Sequence, residues 1–151
     1  MLYIDTDVAI DMIHKAVDLD EIKNVTDKNE RVAITATSMM ELYHGLYVME
    51  YNKKFKVSDE KIKKERFAIG KLKDAIYQVP FDVDAAELSA KIFHELASSG
   101  QKIEINDCMI AATILTRSDG PLLTRNAEHF KRIAGLNLIS LKKSEVKAPA
   151  P

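Results

Sequence analysis

Residues 32–51, "VAITATSMMELYHGLYVMEY", pass from a β-type run into a helical segment without an intervening loop. The run 32–35 has the aliphatic and β-branched composition of a buried strand. The segment from Ala36 to about Tyr51 is apolar on most sides, which is typical of a largely buried helix. A strand followed by a long helix is the repeating unit of α/β domains. This stretch therefore predicts the class of the fold.

The same alternation continues on both sides of this stretch. Further strand candidates are "LYI" at 2–4, "YQVPF" at 77–81, "PLLT" at 121–124 and "NLISL" at 137–141. Two segments between them have apolar residues at helical spacing, namely Ile62, Ile69, Leu72 and Ile76, and Ala85, Leu88, Ile92 and Leu96. Gly100 predicts the end of the second of these helices. The pattern predicts a parallel sheet covered by helices on both faces.

The length and composition fit one domain with a substantial core. The chain has 151 residues, of which 46% are hydrophobic and 30% charged. We predict a single domain over residues 1–141, since no linker or repeat divides the chain. The last ten residues, "KKSEVKAPAP" at 142–151, are polar and rich in Pro and Ala, which predicts a flexible C-terminal tail.

The charge and the cysteine content exclude some classes of function. The net charge is −1, from 22 basic and 23 acidic residues, so a protein that binds nucleic acid by wrapping it in positive charge is excluded. An enzyme that acts on nucleic acid through a metal ion is still compatible with this net charge. Cys108 is the single cysteine, which fits a reducing cytoplasm. No apolar run has the length of a membrane span and the N-terminus lacks the layout of a signal peptide, so we expect a cytoplasmic protein.

Carboxylates follow the predicted strands at places that the fold would bring together. Asp5 comes directly after "LYI", and Glu41 lies on the helix after 32–35. Asp107 stands at the start of the apolar helical run "INDCMIAATIL" at 105–115. Ligand sites of parallel sheets form at the carboxyl ends of the strands. Clustered acids repel one another unless a hard divalent cation lies among them, and such an ion can activate water and stabilise an in-line phosphoryl displacement.

Each of these polar residues also has a structural interpretation. Asp5, Thr6 or Asp7 can cap the next helix, and Asn106 or Asp107 can cap the helix at 105–115. Glu41 fits the narrow polar stripe of its helix equally well. Asn126, after "PLLT", can cap a short helix or offer its carbonyl oxygen to magnesium or to a bound water. The individual segments leave these alternatives open.

Four blocks of sequence together resemble one family. They are "YIDTDVAID" at 3–11, "ITATSMMELYHG" at 34–45, "GQKIEINDCMIAATIL" at 100–115 and "LLTRNAEHFKRIAGLNLI" at 122–139. In this order and content the chain resembles PIN-domain ribonucleases, and among them the VapC-type toxins of toxin–antitoxin pairs. The resemblance implies a PIN-like three-layer α/β/α fold with a central parallel sheet of four or five strands.

The resemblance also implies an activity and partners. It implies a metal-dependent endoribonuclease that uses Mg²⁺ or Mn²⁺ and cuts structured RNA, such as transfer or ribosomal RNA, at a single-stranded loop. It further implies a homodimer that is held inactive by a small cognate antitoxin, whose C-terminal segment lies across the groove near the acids.

Site residues follow from the same matched motifs. The resemblance places the catalytic and metal-binding acids at Asp5, Glu41 and Asp107. Asn126 falls on the position of a fourth, weaker metal ligand. Thr6 and Thr124 fall on positions whose hydroxyls line the site. Arg125 falls on a position that would contact a phosphate.

Two rival functions are compatible with parts of the sequence. The stretch "IDTDVA" also resembles the opening motif of haloacid-dehalogenase-type phosphatases, with Asp5 as nucleophile and Asp7 as acid/base. That family needs an acidic pair after a later strand, where this chain has "TRN". The second rival is a non-catalytic interaction module with a PIN fold. The histidines show no mutual ligand spacing and are interpreted as structural or surface residues, namely His14, His44, His94 and His129.

Overall fold

The computed structural model describes residues 1–27 and 29–141 and contains a five-stranded parallel sheet. The strands are β1 (Leu2–Ile4), β2 (Val32–Thr35), β3 (Tyr77–Val79), β4 (Leu122–Thr124) and β5 (Leu138–Ser140), in the spatial order β3-β2-β1-β4-β5. The predicted α/β class and parallel sheet are confirmed. The predicted tail at 142–151 lies outside the described residues.

Helices connect the strands and cover the sheet. They are α1 (Thr6–Ile13), α2 (Leu19–Lys23), α3 (Ala36–Tyr51), α4 (Asp59–Ala75), α5 (Val83–Ser98), α6 (Ile105–Arg117) and α7 (Ala127–Phe130). The direct passage from β2 into α3 is confirmed, because Thr35 ends the strand and its hydroxyl accepts a hydrogen bond from the Ser38 backbone N–H. No helix within residues 1–27 and 29–141 has the length and apolarity to cross a membrane.

Two of the five strands have the predicted bounds, and the other three are shorter than the sequence predicts. The predicted strand 77–81 ends at Val79, because Pro80 has no backbone N–H to donate to a neighbouring strand. The predicted strand 121–124 begins at Leu122, although the Pro121 carbonyl still accepts a hydrogen bond from the Tyr3 N–H. The run at 137–141 likewise shortens to Leu138–Ser140.

The central strand is buried on both faces of the sheet. Leu2 and Ile4 belong to one apolar cluster, which also contains residues of α1, α3 and α4. Tyr3, between them, belongs to the other cluster, with residues of α5 and α6. Successive side chains of a strand point to opposite faces, so this division shows that helices cover both faces. The predicted three-layer architecture is therefore confirmed.

The topology places three strand ends side by side. β1 is hydrogen-bonded to β2 on one side and β4 on the other, with Ile4 opposite both Ile34 and Leu123. The residues that follow these strand positions, Asp5, Thr35 and Thr124, consequently lie at the same edge of the sheet. The Asp5 backbone N–H donates to the Leu123 carbonyl oxygen at 2.9 Å, which fixes Asp5 to the end of β4.

Candidate active site

A cavity of about 570 Å³ opens at the carboxyl ends of β1, β2 and β4. Its walls come from α1, α3, α6 and the start of α7, and the lining residues are Asp5, Thr6, Asp7, Ile10, Met40, Glu41, His44, Asn106, Asp107 and Asn126. The fold therefore brings the three acids singled out in the sequence to one cavity. Of the other four predicted site residues, Thr6 and Asn126 line it, whereas Thr124 and Arg125 do not.

Asp5 both caps α1 and lines the cavity. Its Oδ1 accepts a hydrogen bond from the Thr6 N–H at 2.7 Å, and its Oδ2 accepts one from the Thr124 hydroxyl at 2.7 Å. Only 5% of the residue is exposed. The capping and site interpretations are thus compatible, because each carboxylate oxygen has a different partner and neither partner carries a charge.

The surroundings of Asp5 disfavour its ionised form. Burial raises the pKa of Asp5 to about 6, and the negative charges of Asp107 and Asp7 act in the same direction. The hydrogen bonds from Thr124 and Thr6 lower the pKa and so offset part of this rise. A positive charge in the cavity would remove the remaining cost of ionisation.

Glu41 is held by hydrogen bonds from two other helices. The Thr6 hydroxyl, on α1, donates to Glu41 Oε2, and the Asn106 amide, on α6, donates to Oε1 at 3.1 Å. Glu41 is partly exposed, as the interpretation as a residue on a polar stripe predicts, but both of its carboxylate oxygens are hydrogen-bonded to other helices. These contacts fix the carboxylate between α1 and α6.

Asp107 lies in the first turn of α6 without capping the helix. The cap position is Glu104, which makes no side-chain capping bond, so the capping interpretations of Asn106 and Asp107 are wrong. Burial raises the pKa of Asp107, and the charge of Glu41 raises it further. When its ring is protonated, His129 acts in the opposite direction and lowers the pKa of Asp107, since its Nδ1 lies 3.6 Å from Asp107 Oδ2.

Asn126 occupies the N-cap position of α7, as the capping interpretation predicts, but its side chain makes no capping bond. Its backbone N–H donates to the Thr124 hydroxyl oxygen at 2.9 Å. Its amide Nδ2 lies 2.9 Å from His129 Nδ1. Thr124, which is fully buried, therefore links the Asn126 backbone to the Asp5 carboxylate.

Arg125 is turned away from the cavity. Its Nε donates to Asp11 Oδ2 on α1, and the side chain is 14% exposed. Its Nη1 is buried and has no hydrogen-bond partner among the described residues. The structure therefore does not bring Arg125 to the position in which it would contact a phosphate in the cavity.

The oxygen-rich lining fits a hard divalent cation. Within residues 1–27 and 29–141, no three His, Cys, Asp or Glu side chains are grouped closely enough to ligate one ion directly. Mg²⁺ usually keeps several water ligands and binds only one or two carboxylates directly, so a looser acidic cavity is compatible with it. Burial raises the pKa of Asp5 and of Asp107, and neighbouring acids raise both further; a cation in the cavity would offset these effects.

Three side chains at the site were not identified from the sequence. Asn106 orients Glu41, His44 lines the cavity, and His129 contacts both Asp107 and Asn126. The interpretation of the histidines as ordinary residues therefore needs correction for two of the four. The available signals were the position of His129 one helical turn after Asn126 and that of Asn106 directly before Asp107.

The sheet order and the acid-lined cavity define a three-layer α/β domain with a site for a charged ligand at the carboxyl ends of its central strands. The model of the PIN domain matches residues 2–136, and the chain belongs to the PIN-domain family. The family membership predicted from the sequence is confirmed.

Individual relatives agree with this assignment. Ribonuclease VapC of Rickettsia bellii (strain RML369-C) is 36% identical over 63 residues, which are 42% of this chain and 46% of that protein. The alignment thus spans less than half the length of this curated relative. The resemblance to VapC-type proteins noted in the sequence is nevertheless confirmed.

Solved structures resemble nearly the whole chain. VapBC2 from Rickettsia felis, bound to a DNA fragment from its promoter, matches with a TM-score of 0.76 and 24% identity over 94% of this chain and 100% of that chain. VapBC-5 from Mycobacterium tuberculosis, a member of the VapBC family of toxin-antitoxin systems, matches with a TM-score of 0.64 and 25% identity over 92% and 97% of the two chains.

Proposed function

We propose that this protein is the toxin of a toxin–antitoxin pair and acts as a metal-dependent endoribonuclease that hydrolyses RNA phosphodiester bonds at the cavity. The observation that carries the proposal is the presence of Asp5, Glu41 and Asp107 around one cavity at the carboxyl ends of the central strands. The ribonuclease activity named for the R. bellii relative and the toxin-antitoxin systems named for the M. tuberculosis complex support it.

Asp5, Asp107 and the amide oxygen of Asn126 are the groups that would hold the divalent cation, Mg²⁺ or Mn²⁺. When bound, such a cation opposes the charge that develops on the phosphate and lowers the pKa of a water ligand. The residues of this chain position the groups that would bind the cation. Thr124 holds Asp5 from behind with a hydrogen bond of 2.7 Å and accepts the Asn126 N–H at 2.9 Å, so two candidate ligands share one buried anchor.

Glu41 is the residue that we assign to proton transfer. Its two oxygens accept hydrogen bonds from Thr6 and Asn106, and each oxygen retains lone-pair capacity for a proton from the attacking water. Both donors are neutral, so they orient the carboxylate without neutralising it. Asp5 and Asp107, whose ionised forms are disfavoured by burial, are better suited to binding a cation than to remaining free bases.

The test of the activity is cleavage of a labelled total RNA pool with Mg²⁺, Mn²⁺ or a chelator. The purified protein is compared with Asp107→Asn and with the matched control Asp84→Asn, which makes the same change of charge at an exposed position on α5. We expect discrete fragments from the unmodified protein and from Asp84→Asn. The fragments should disappear with chelator and with Asp107→Asn.

The other outcomes separate the rival functions. Equal cleavage by the unmodified protein and Asp107→Asn would show that the nuclease is a contaminant. No cleavage with either metal would contradict the proposal and favour the non-catalytic module. A phosphatase that uses Asp5 and Asp7 would instead release phosphate from small esters, and the PIN-domain assignment argues against it.

The biological part of the proposal includes a cognate antitoxin, a homodimer and a cytoplasmic location. Induced expression of the protein alone should arrest bacterial growth, and Asp107→Asn should not. Light scattering of the purified protein tests the dimer separately. Growth arrest that persists with Asp107→Asn would contradict the assignment of toxicity to this cavity.

A further inference from the structure

His129 makes a contact that determines which atom Asn126 can offer to the cavity. The His129 Nδ1 atom lies 2.9 Å from the Asn126 Nδ2 atom. In this arrangement the amide nitrogen faces the ring, and because an amide nitrogen is only a donor, His129 Nδ1 accepts, as the neutral ring does when its proton is on Nε2. The distance from His129 Nδ1 to Asp107 Oδ2 is 3.6 Å, which is too long for a hydrogen bond. The contact between His129 and Asn126 is therefore the one that sets the orientation of the Asn126 amide.

The two ends of the Asn126 amide are not equivalent for a cation. The carbonyl oxygen carries a partial negative charge, whereas the NH₂ group presents two positive hydrogens. Because oxygen and nitrogen lie on opposite sides of the side-chain axis, holding Nδ2 against His129 directs Oδ1 away from the ring. The Asn126 side chain makes no capping bond that would compete for this oxygen.

The position of His129 is itself fixed by the core. Its neighbour Phe130 is fully buried and attaches α7 to the apolar cluster under α5 and α6. The His129 backbone N–H donates to the Asn126 carbonyl oxygen at 3.2 Å, so the two residues lie on one short turn. The imidazole is 44% exposed, and a histidine in that position is not needed to fill the core.

We infer that His129 is a positioning residue that orients the Asn126 amide, so that its carbonyl oxygen is the atom available to a divalent cation or to a water bound to one. The inference rests on the proposed function, because it names the group that Asn126 contributes to the cation site. Rotation of the amide by half a turn would place two N–H donors toward the cation and oppose its binding.

A double-mutant cycle tests the role of the orientation. Mn²⁺ binding is measured by the electron paramagnetic resonance signal of the free ion, for the unmodified protein, His129→Ala, Asn126→Asp and the double variant. We expect His129→Ala to weaken Mn²⁺ binding about tenfold, as loss of an outer-sphere partner does. In the Asn126→Asp background the loss should be less than about twofold, since a carboxylate presents an oxygen in either orientation. Equal losses in both backgrounds would overturn the inference.

A second readout does not depend on metal or RNA. In the metal-free protein, the side-chain NH₂ resonances of Asn126 in a ¹⁵N-edited NMR spectrum should differ from those of the exposed Asn24 and should move toward them in His129→Ala. His129→Gln, whose side-chain oxygen can accept the same hydrogen bond, should restore the shift in part. Unchanged Asn126 resonances in His129→Ala would overturn the inference, whatever the RNA assay gives.

The two readouts distinguish failure of the inference from failure of the proposed function. Altered Asn126 amide resonances, together with a larger loss of Mn²⁺ affinity in the unmodified background than in the Asn126→Asp background, support both the inference and the proposed function. If the resonances move but no variant binds Mn²⁺, the cation site is refuted, and the inferred role of the orientation is refuted with it. If Mn²⁺ binds and RNA is cleaved but His129→Ala changes neither readout, the nuclease stands and the role of His129 is refuted.

Discussion

Acidic side chains at the two ends of α1 have different kinds of partner. Near its start, Asp5 is buried and receives hydrogen bonds from a hydroxyl and a backbone N–H, none of which is charged. Two turns later, Asp11 pairs with the guanidinium of Arg125, and His14 lies 3.2 Å from Glu65. The chain thus compensates Asp11 with its own cation, Arg125, and leaves Asp5 without a cationic partner. The arrangement at Asp11 is that of a structural ion pair, and the arrangement at Asp5 is the one that a site for an external cation needs.

The largest expected effect comes from removal of the uncompensated charge. Asp5→Asn keeps the size of the side chain but removes a candidate metal ligand, so RNA cleavage should fall by at least about 100-fold. The same change should stabilise the metal-free protein by up to about 3 kcal/mol, because the native state no longer buries a carboxylate whose pKa is raised to about 6. Fragment yield and denaturant unfolding measure the two effects. A less stable Asp5→Asn protein would contradict this account of the cavity.

The compensated end of α1 should respond with the opposite sign. Asp11→Asn leaves the guanidinium of Arg125 mostly buried and without its counter-ion, which should lower the free energy of unfolding by about 2 kcal/mol. Cleavage measured well below the melting temperature should change much less than with Asp5→Asn, since Asp11 does not line the cavity. If both substitutions changed stability in the same direction, the contrast between the two ends would be lost.

The pH dependence of stability provides a third comparison. The pKa of Asp5 rises from 3.8 to about 6 on folding, so the folded state binds the proton more tightly than the unfolded state. The resulting stability is complete below pH 3.8 and is lost as the pH rises through about 6. Between pH 7 and pH 5, the metal-free protein should gain about 1 kcal/mol relative to Asp5→Asn. With Mn²⁺ present the sign should reverse, because protons compete with the cation for Asp5.

The smallest of these effects concerns the hydroxyl behind Asp5. Thr124→Val removes the hydrogen bond that lowers the pKa of Asp5, so this pKa should rise further and the acid limb of the cleavage profile should move to higher pH. The unpaired Asn126 N–H should also cost about 1 kcal/mol of stability. Thr113→Val is the matched control, since the Thr113 hydroxyl is equally buried but bonds only to Met109 in its own helix. An unchanged acid limb would show that Thr124 does not act on Asp5.

The sequence was sufficient for the sheet and for the convergence of the acids. Asp5 and Glu41 could be placed because they follow strand-like runs, and parallel strands bring their carboxyl ends together whatever the side chains do. The partners of these acids could not be placed in this way. The Arg125–Asp11 pair joins residues 114 positions apart and depends on the direction of a long side chain, which no local pattern specifies.

The contribution of His129 was missed for a related reason. Histidines were judged by their spacing relative to one another, whereas this one acts through an asparagine one turn away. The hydrogen bond from Asn106 to Glu41 could not be predicted from local sequence either, since it links two helices and depends on their packing. Contacts of this kind emerge only when the tertiary arrangement is known.

The burial of β1 gives the site an uneven local stability. Asp5 continues a strand whose residues are fully buried, and its amide donates to Leu123 on the neighbouring strand, so in native-state hydrogen exchange this amide belongs with the slowest set in the molecule. Asn126 and His129 belong to a helix of four residues, whose amides can exchange through local opening. We therefore expect one wall of the cavity to open only when the whole domain unfolds, and the other to open at far lower cost. Binding of a cation should slow exchange in α7 while leaving β1 unchanged.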